Sequence, residues 1–164
     1  MGSSHDCRWC NDYEKVSYGG RCINRLIHKY RHTYVIVPRE SHVTHHLLVF
    51  LRKHRDRLID CNGQDLCHLG ETVAKACEVL KSMGYDRVYA GCYSDDPHVH
   101  YHLIPLVKAA DKLYDGRAMH WLAEKERVSA AHPFEGLTEP ETHARLDEME
   151  IVVREVRDAW SRGR

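Results

Sequence analysis

The sequence has no run of eighteen or more apolar residues, and its first residues lack the basic start and apolar core of a secretory leader. Neither a membrane-spanning helix nor export is expected, and the cytoplasm is the default compartment. Net charge is missing too: 24 basic and 24 acidic residues cancel. That removes the electrostatic footprint of a protein that grips nucleic acid through its phosphates, and a small molecule becomes the expected partner. An even set of cysteines is also lacking. Of the seven (Cys7, Cys10, Cys22, Cys61, Cys67, Cys77 and Cys92), five are scattered among apolar neighbours, as buried thiols are, so no disulfide framework is expected. No internal repeat or low-complexity segment is evident. The 164 residues suit one domain with a real core. Met1-Gly2-Ser3-Ser4-His5 reads like a tag remnant, and residues 1–6 are set aside as such a remnant or a disordered start.

What the chain does have is patterned. Residues 14–18 and 21–27 flank Gly19-Gly20, a pair suited to a two-residue hairpin turn. Thr33-Tyr34-Val35-Ile36-Val37 is β-branched and aromatic and is stopped by Pro38, which predicts a strand. Across 43–60, Leu47, Leu48, Leu51, Leu58 and Ile59 recur at roughly helical spacing, predicting a helix. A cleaner stripe of Leu66, Leu69, Val73, Ala76 or Cys77, Leu80 and Met83 predicts a second over 64–83, with Gly84 as its C-terminal cap. Residues 87–93 and 98–107 read as strands joined by the turn Ser94-Asp95-Asp96-Pro97. The order ββ, β, α, α, β, β implies an α+β domain, an antiparallel sheet covered on one face by helices. Beyond it, 116–127 reads as a short helix and Pro133 and Gly136 as loop. Thr138 and Glu141 form a capping box before an amphipathic helix whose stripe is Leu146, Met149, Val153, Val156 and Trp160.

Fourteen histidines is a high count, and three of them alternate. In a strand, His98, His100, His102 and Ile104 share one face while Val99, Tyr101 and Leu103 share the other. A lone histidine there would ordinarily be a solvent-facing residue. Three in strict alternation, bounded by Leu103-Ile104-Pro105, point to chemistry instead.

The pattern His-φ-His-φ-His-φ-φ, with φ apolar or aromatic, is the signature of the histidine triad family, and 98–104 matches it without a gap. Upstream, Arg31-His32-Thr33-Tyr34-Val35-Ile36-Val37-Pro38 resembles the family's Gly-His-x-Leu-Val-Ile-Pro strand, and His42 follows the proline. The resemblance covers about residues 7–107. It implies a triad-type domain over 7–110 and a homodimer, and the helical patterning beyond it is read as an extension over 111–164 packed on that domain or on the dimer partner. It implies that His100 is a nucleophile that attacks the α-phosphorus of a nucleotide or nucleotidyl conjugate. His102 would contact phosphate or protonate the leaving group, His32 would contribute from the neighbouring strand, and Ser94 would stand among the phosphate contacts before the triad. A neutral imidazole is a good nucleophile near neutral pH, and a covalent intermediate divides one hard displacement into two easier ones.

Cys7-Arg8-Trp9-Cys10 alone could be a redox pair, half a metal site or accident. Zinc-bearing branches of the family, including the hexose-phosphate uridylyltransferases, are similar in joining such a pair to a later histidine and to the first histidine of the triad. Carried over, the ligands are Cys7, Cys10, His42 and His98, with His45 and His46 competing for the third place. Four protein ligands would make the zinc structural.

The sequence departs from the pattern at Asp95-Asp96, whose charge would repel a phosphate unless both side chains point outward. Pro97 resembles the uridylyltransferases, whereas His102 matches the hydrolases and Leu106 stands where arginine is common. Arg117, His120 and Trp121 could meet a ligand, although Met119, Trp121 and Leu122 at helical spacing suit a core. The expected activity is hydrolysis at the α-phosphate through His100. Nucleotidyl transfer or phosphorolysis by the same intermediate, a low-activity nucleotide-binding module, and a zinc-dependent interaction module are the alternatives.

Overall fold

In the computed structural model, which describes residues 7–11, 13–18, 20–39, 43–93, 97–106 and 138–163, the first strands fold on themselves. Gly20, at φ 79°, turns the chain between β1 (Lys15–Tyr18) and β2 (Arg21–Asn24), pairing Tyr18 with Arg21. A positive φ suits glycine because it has no Cβ to clash. The expected strand 21–27 divides after Asn24, and β3 (Leu26–Lys29) joins a separate sheet. That sheet has five antiparallel strands in the order β3, β4 (Thr33–Ile36), β5 (Leu47–Leu51), β7 (His100–Leu106) and β6 (Arg87–Tyr93). A four-residue helix, α1 (Arg8–Asn11), precedes the strands.

The predicted helix over 43–60 is not formed. Leu47, Leu48, Val49, Phe50 and Leu51 make the central strand β5, every residue of it buried, and Leu58–Asp60 is a single 3-10 turn. A strand buried on both faces is apolar throughout, so it carries no alternation to separate it from a helix. Leu58 and Ile59, which completed the apparent helical phase, are exposed.

The helix α2 (Gly63–Ser82) begins on a reciprocal cap in which the Asp65 N–H donates to Asn62 Oδ1 at 2.8 Å and the Asn62 N–H to Asp65 Oδ2 at 3.3 Å. It ends beside Gly84 at φ 97°. Its buried stripe is Leu69, Thr72, Ala76, Val79 and Leu80, and Leu66, expected within it, is exposed. The C-terminal helix α3 (Glu139–Arg162) starts on the expected box, with the Thr138 N–H donating to Glu141 Oε2 at 2.8 Å. Leu146, Met149, Val153, Val156 and Trp160 are all buried, against α2, β2 and β3. The short helix expected over 116–127 lies outside the described residues, as do Arg117, His120 and Trp121.

Both helices cover one face of the sheet, where Val35, Val49, Leu51 and Leu103 enter the main core. The other face carries Tyr34, Ile36, Leu48 and Phe50 with Cys7. Cross-strand partners share a face, and Leu48 pairs with His102 and Phe50 with His100. The paired histidines therefore stand on the face opposite the helices. No helix among the described residues is long and apolar enough to cross a membrane.

Candidate active site and metal site

The strand β7 begins at His100, two residues later than expected, with His98 in a bend just before it. His98 and His100 are 1% exposed and His102 is 6% exposed, so none is a solvent-facing strand residue. His100 Nδ1 lies 2.8 Å from the His98 carbonyl oxygen and its Nε2 lies 2.9 Å from His102 Nε2. His102 Nδ1 in turn lies 3.1 Å from His46 Nε2.

A carbonyl can only accept, so His100 carries a proton on Nδ1, and as a neutral ring it keeps a lone pair on Nε2. With neutral rings the rest follows: His102 Nε2–H donates to that lone pair, and His46 Nε2–H donates to His102 Nδ1. Burial first, then His46 and His100, push the His102 pKa down to about 2, which keeps that ring neutral. The result is a file of imidazoles ending at His100 Nε2, with the opposite ring nitrogen held by backbone.

His98 is turned toward the N-terminal segment instead. Its Nδ1 lies 3.4 Å from Cys7 Sγ and 3.6 Å from Cys10 Sγ, and Cys10 Sγ lies 3.4 Å from His54 Nδ1. Tetrahedral zinc, with Zn–S of about 2.3 Å and Zn–N of about 2.0 Å, separates a sulfur from a nitrogen donor by about 3.5 Å. All four donor atoms lie within 4.8 Å of one another. The second nitrogens are also held: His98 Nε2–H donates to the Leu51 carbonyl at 2.8 Å and His54 Nε2 meets Asp56 Oδ1 at 2.6 Å. Ligating imidazoles are ordinarily oriented in this way by carbonyls and carboxylates. Burial and the neighbouring Cys7 push the Cys10 thiol up to about 11, and burial lowers His98 to about 4. A bound cation would reverse the first by favouring thiolate.

Three of the four expected ligands are among the described residues, and a further histidine joins them. Cys7, Cys10 and His98 come together with His54, while His42 lies outside the described residues. Of the two competing histidines, His46 faces His102 and His45 faces Tyr85 and Glu155. Ser94, Asp95 and Asp96 also lie outside the described residues. His32 is placed away from the triad: its ring stacks at 4.0 Å on His68 of α2, on the helical side of the sheet. The two line a cavity of about 380 Å³ with Tyr30, Arg31, Thr72 and Lys75. Burial, His68 and Arg31 hold the His32 pKa below its usual value.

These departures have one source. The strand beside the triad is β5, not β4, and Gly-His-x-Leu-Val-Ile-Pro can be set without a gap on His45-His46-Leu47-Leu48-Val49-Phe50-Leu51, matching at His46, Leu48 and Val49. His45 stands in place of the glycine and Leu51 in place of the proline, with His54 three residues beyond. The readable signal was a pair of histidines eight residues apart, flanking five apolar residues. A false match one strand earlier, with a real proline, concealed it.

By sequence the chain matches no protein-family model and no curated protein. By structure, its fold is that of the histidine triad proteins. It aligns with a Zn-bound histidine triad family protein from Mycobacterium smegmatis at TM-score 0.63 and 15% identity, covering 98% of this chain and 96% of that one. A Hit-like protein involved in cell-cycle regulation from Bartonella henselae aligns at TM-score 0.55 and 16% identity, covering 82% and 84%. A hypothetical histidine triad nucleotide-binding protein from Sulfolobus tokodaii aligns at TM-score 0.55 and 13% identity, covering 84% of each.

Proposed function

We propose that the chain is a zinc-containing histidine triad enzyme that hydrolyses nucleotidyl compounds at the α-phosphate through a covalent intermediate on His100. The observation that carries this reading is the buried file of His100, His102 and His46, in which the His98 carbonyl holds His100 Nδ1 and Nε2 is left facing His102. The description of the Sulfolobus tokodaii protein of the same fold as nucleotide-binding supports the substrate class.

In the free protein His102 donates to the His100 Nε2 lone pair. An anionic phosphate oxygen is the stronger acceptor, so a bound nucleotide draws the His102 N–H to itself and frees His100. His100 Nε2 then forms a bond to the α-phosphorus as the bond to the leaving group breaks. The leaving group keeps the electron pair and takes its proton from solvent, while His102 Nε2–H stays on the phosphate oxygen and His46 Nε2–H holds His102 Nδ1. The substituted His100 ring is cationic, and the His98 carbonyl, already accepting from Nδ1, stabilises that charge. In the second step water attacks phosphorus and loses its proton to solvent, and the bond to His100 Nε2 breaks, returning the lone pair to the ring and releasing the nucleotide.

Zinc held by Cys7, Cys10, His54 and His98 would be closed by four protein ligands, and so would supply rigidity to the strand start. The Zn-bound Mycobacterium smegmatis protein of the same fold supports that choice of metal. A phosphate or sugar phosphate accepting from the same intermediate would make the enzyme a transferase or phosphorylase.

Turnover of nucleoside phosphoramidates and dinucleoside polyphosphates, with and without competing acceptors, tests the proposal. His100→Ala is expected to lower kcat on the order of a thousandfold or more. Nucleotide binding with turnover indifferent to His100→Ala would replace the enzyme by a binding module.

A further inference from the structure

We propose that His45 is a positioning residue: by bridging Tyr85 and Glu155 it holds the backbone turn that aims His46 at His102. His45 has φ 61°, and it is the non-glycine residue with a positive φ among the described residues. That region of backbone space crowds the Cβ of every residue except glycine. Where the family pattern has glycine, this chain has a side chain in the strained conformation, and the gain must come from its ring.

The ring is committed at both nitrogens. Nδ1 lies 2.6 Å from the Tyr85 hydroxyl, and Nε2 lies 2.7 Å from Glu155 Oε2, to which its N–H donates. The side chain is 13% exposed and meets the Tyr85 ring edge-on at 5.7 Å. Tyr85 follows Gly84 in the turn from α2 to β6, and Glu155 belongs to α3, so one imidazole ties both to the start of β5. The next residue, His46, points the other way, to His102 at 3.1 Å. Consecutive side chains on opposite sides of the sheet make the direction of His46 depend on the dihedral angles of His45. Glycine would permit the same turn, but with no ring to fix it.

The kinetic part of this inference rests on the proposed triad chemistry, and its structural part does not. The test compares His45→Gly, Glu155→Gln and Tyr85→Phe in the full chain. His45→Gly relieves the backbone and removes the bridge, so it should fold with an undiminished Tm, yet lower kcat about tenfold, because small misplacements of catalytic groups are costly. KM should stay within about twofold, since uniform binding is untouched. Glu155→Gln should give a smaller drop, as should Tyr85→Phe, and adding Glu155→Gln to His45→Gly should cost nothing further, because both break one contact. Proton–nitrogen spectra of the imidazoles without substrate should show the shared His46–His102 proton broadened in His45→Gly. Unchanged imidazole signals would overturn the proposal whatever the activity, and so would additive losses in the double variant. Altered signals in a protein that turns over no nucleotide would support the bridge while sinking the enzymatic reading.

Discussion

At His102 the surroundings fix the protonation state. The unfolded ring titrates near about 6.5, whereas burial, then His46, then His100 push the folded one down to about 2. A depressed histidine contributes stability that is fully present above the unfolded pKa and is lost as pH falls, because the unfolded chain takes up a proton that the folded chain refuses. The slope is about 1.4 kcal/mol per pH unit for one group, hence about 2 kcal/mol between pH 6.5 and pH 5. Urea unfolding across that range should show the loss, and His102→Gln should flatten it. The candidate metal ligands can be sorted at the same scale. His54→Ala should abolish most bound zinc, measured by elemental analysis, whereas His42→Ala should leave it at the wild-type level. The opposite pattern would restore His42 as the third ligand.

The elements differ in how much of them was readable. α2 and α3 announced themselves through capping residues and apolar stripes, because a helix with one wet face keeps a period of about 3.6. Leu146, fully buried where α3 meets the core, should cost about 2–5 kcal/mol as alanine. Asn62→Ala, which removes the α2 cap, should cost about 1 kcal/mol. Both are checked by denaturant unfolding. The alternation of His100 and His102 was equally plain, since only one face of β7 carries them. The central strand β5 was not legible, because burial on both faces had erased its period and exposed Leu58 and Ile59 imitated a helix. His46 and His54 were lost with it. Set against Gly-His-x-Leu-Val-Ile-Pro, their stretch has His45 for the glycine and Leu51 for the proline, and the pairing of Leu48 with His102 supplies the register.

For the molecule as a whole, the proposed zinc site and the proposed nucleophile share one residue. His98 offers Nδ1 to the Cys7, Cys10 and His54 cluster and its carbonyl to His100. Cys7 and Cys10 belong to the N-terminal segment, His54 to the loop after β5 and His98 to the bend before β7, so a metal there would join three stretches distant in sequence. Cys7→Ser with Cys10→Ser should therefore lower zinc content, Tm and turnover together, and undiminished zinc in the purified double variant would refute the assignment. The homodimer implied by the triad resemblance predicts a particle of twice the chain mass in sedimentation equilibrium. The central claim is that His100 carries the nucleotidyl group. Intact mass spectrometry of protein quenched during turnover of a nucleotidyl substrate reads it directly. The account predicts an acid-labile nucleotidyl adduct that maps to His100 and is missing from His100→Ala. Turnover without any adduct, or an adduct that persists in His100→Ala, would contradict it.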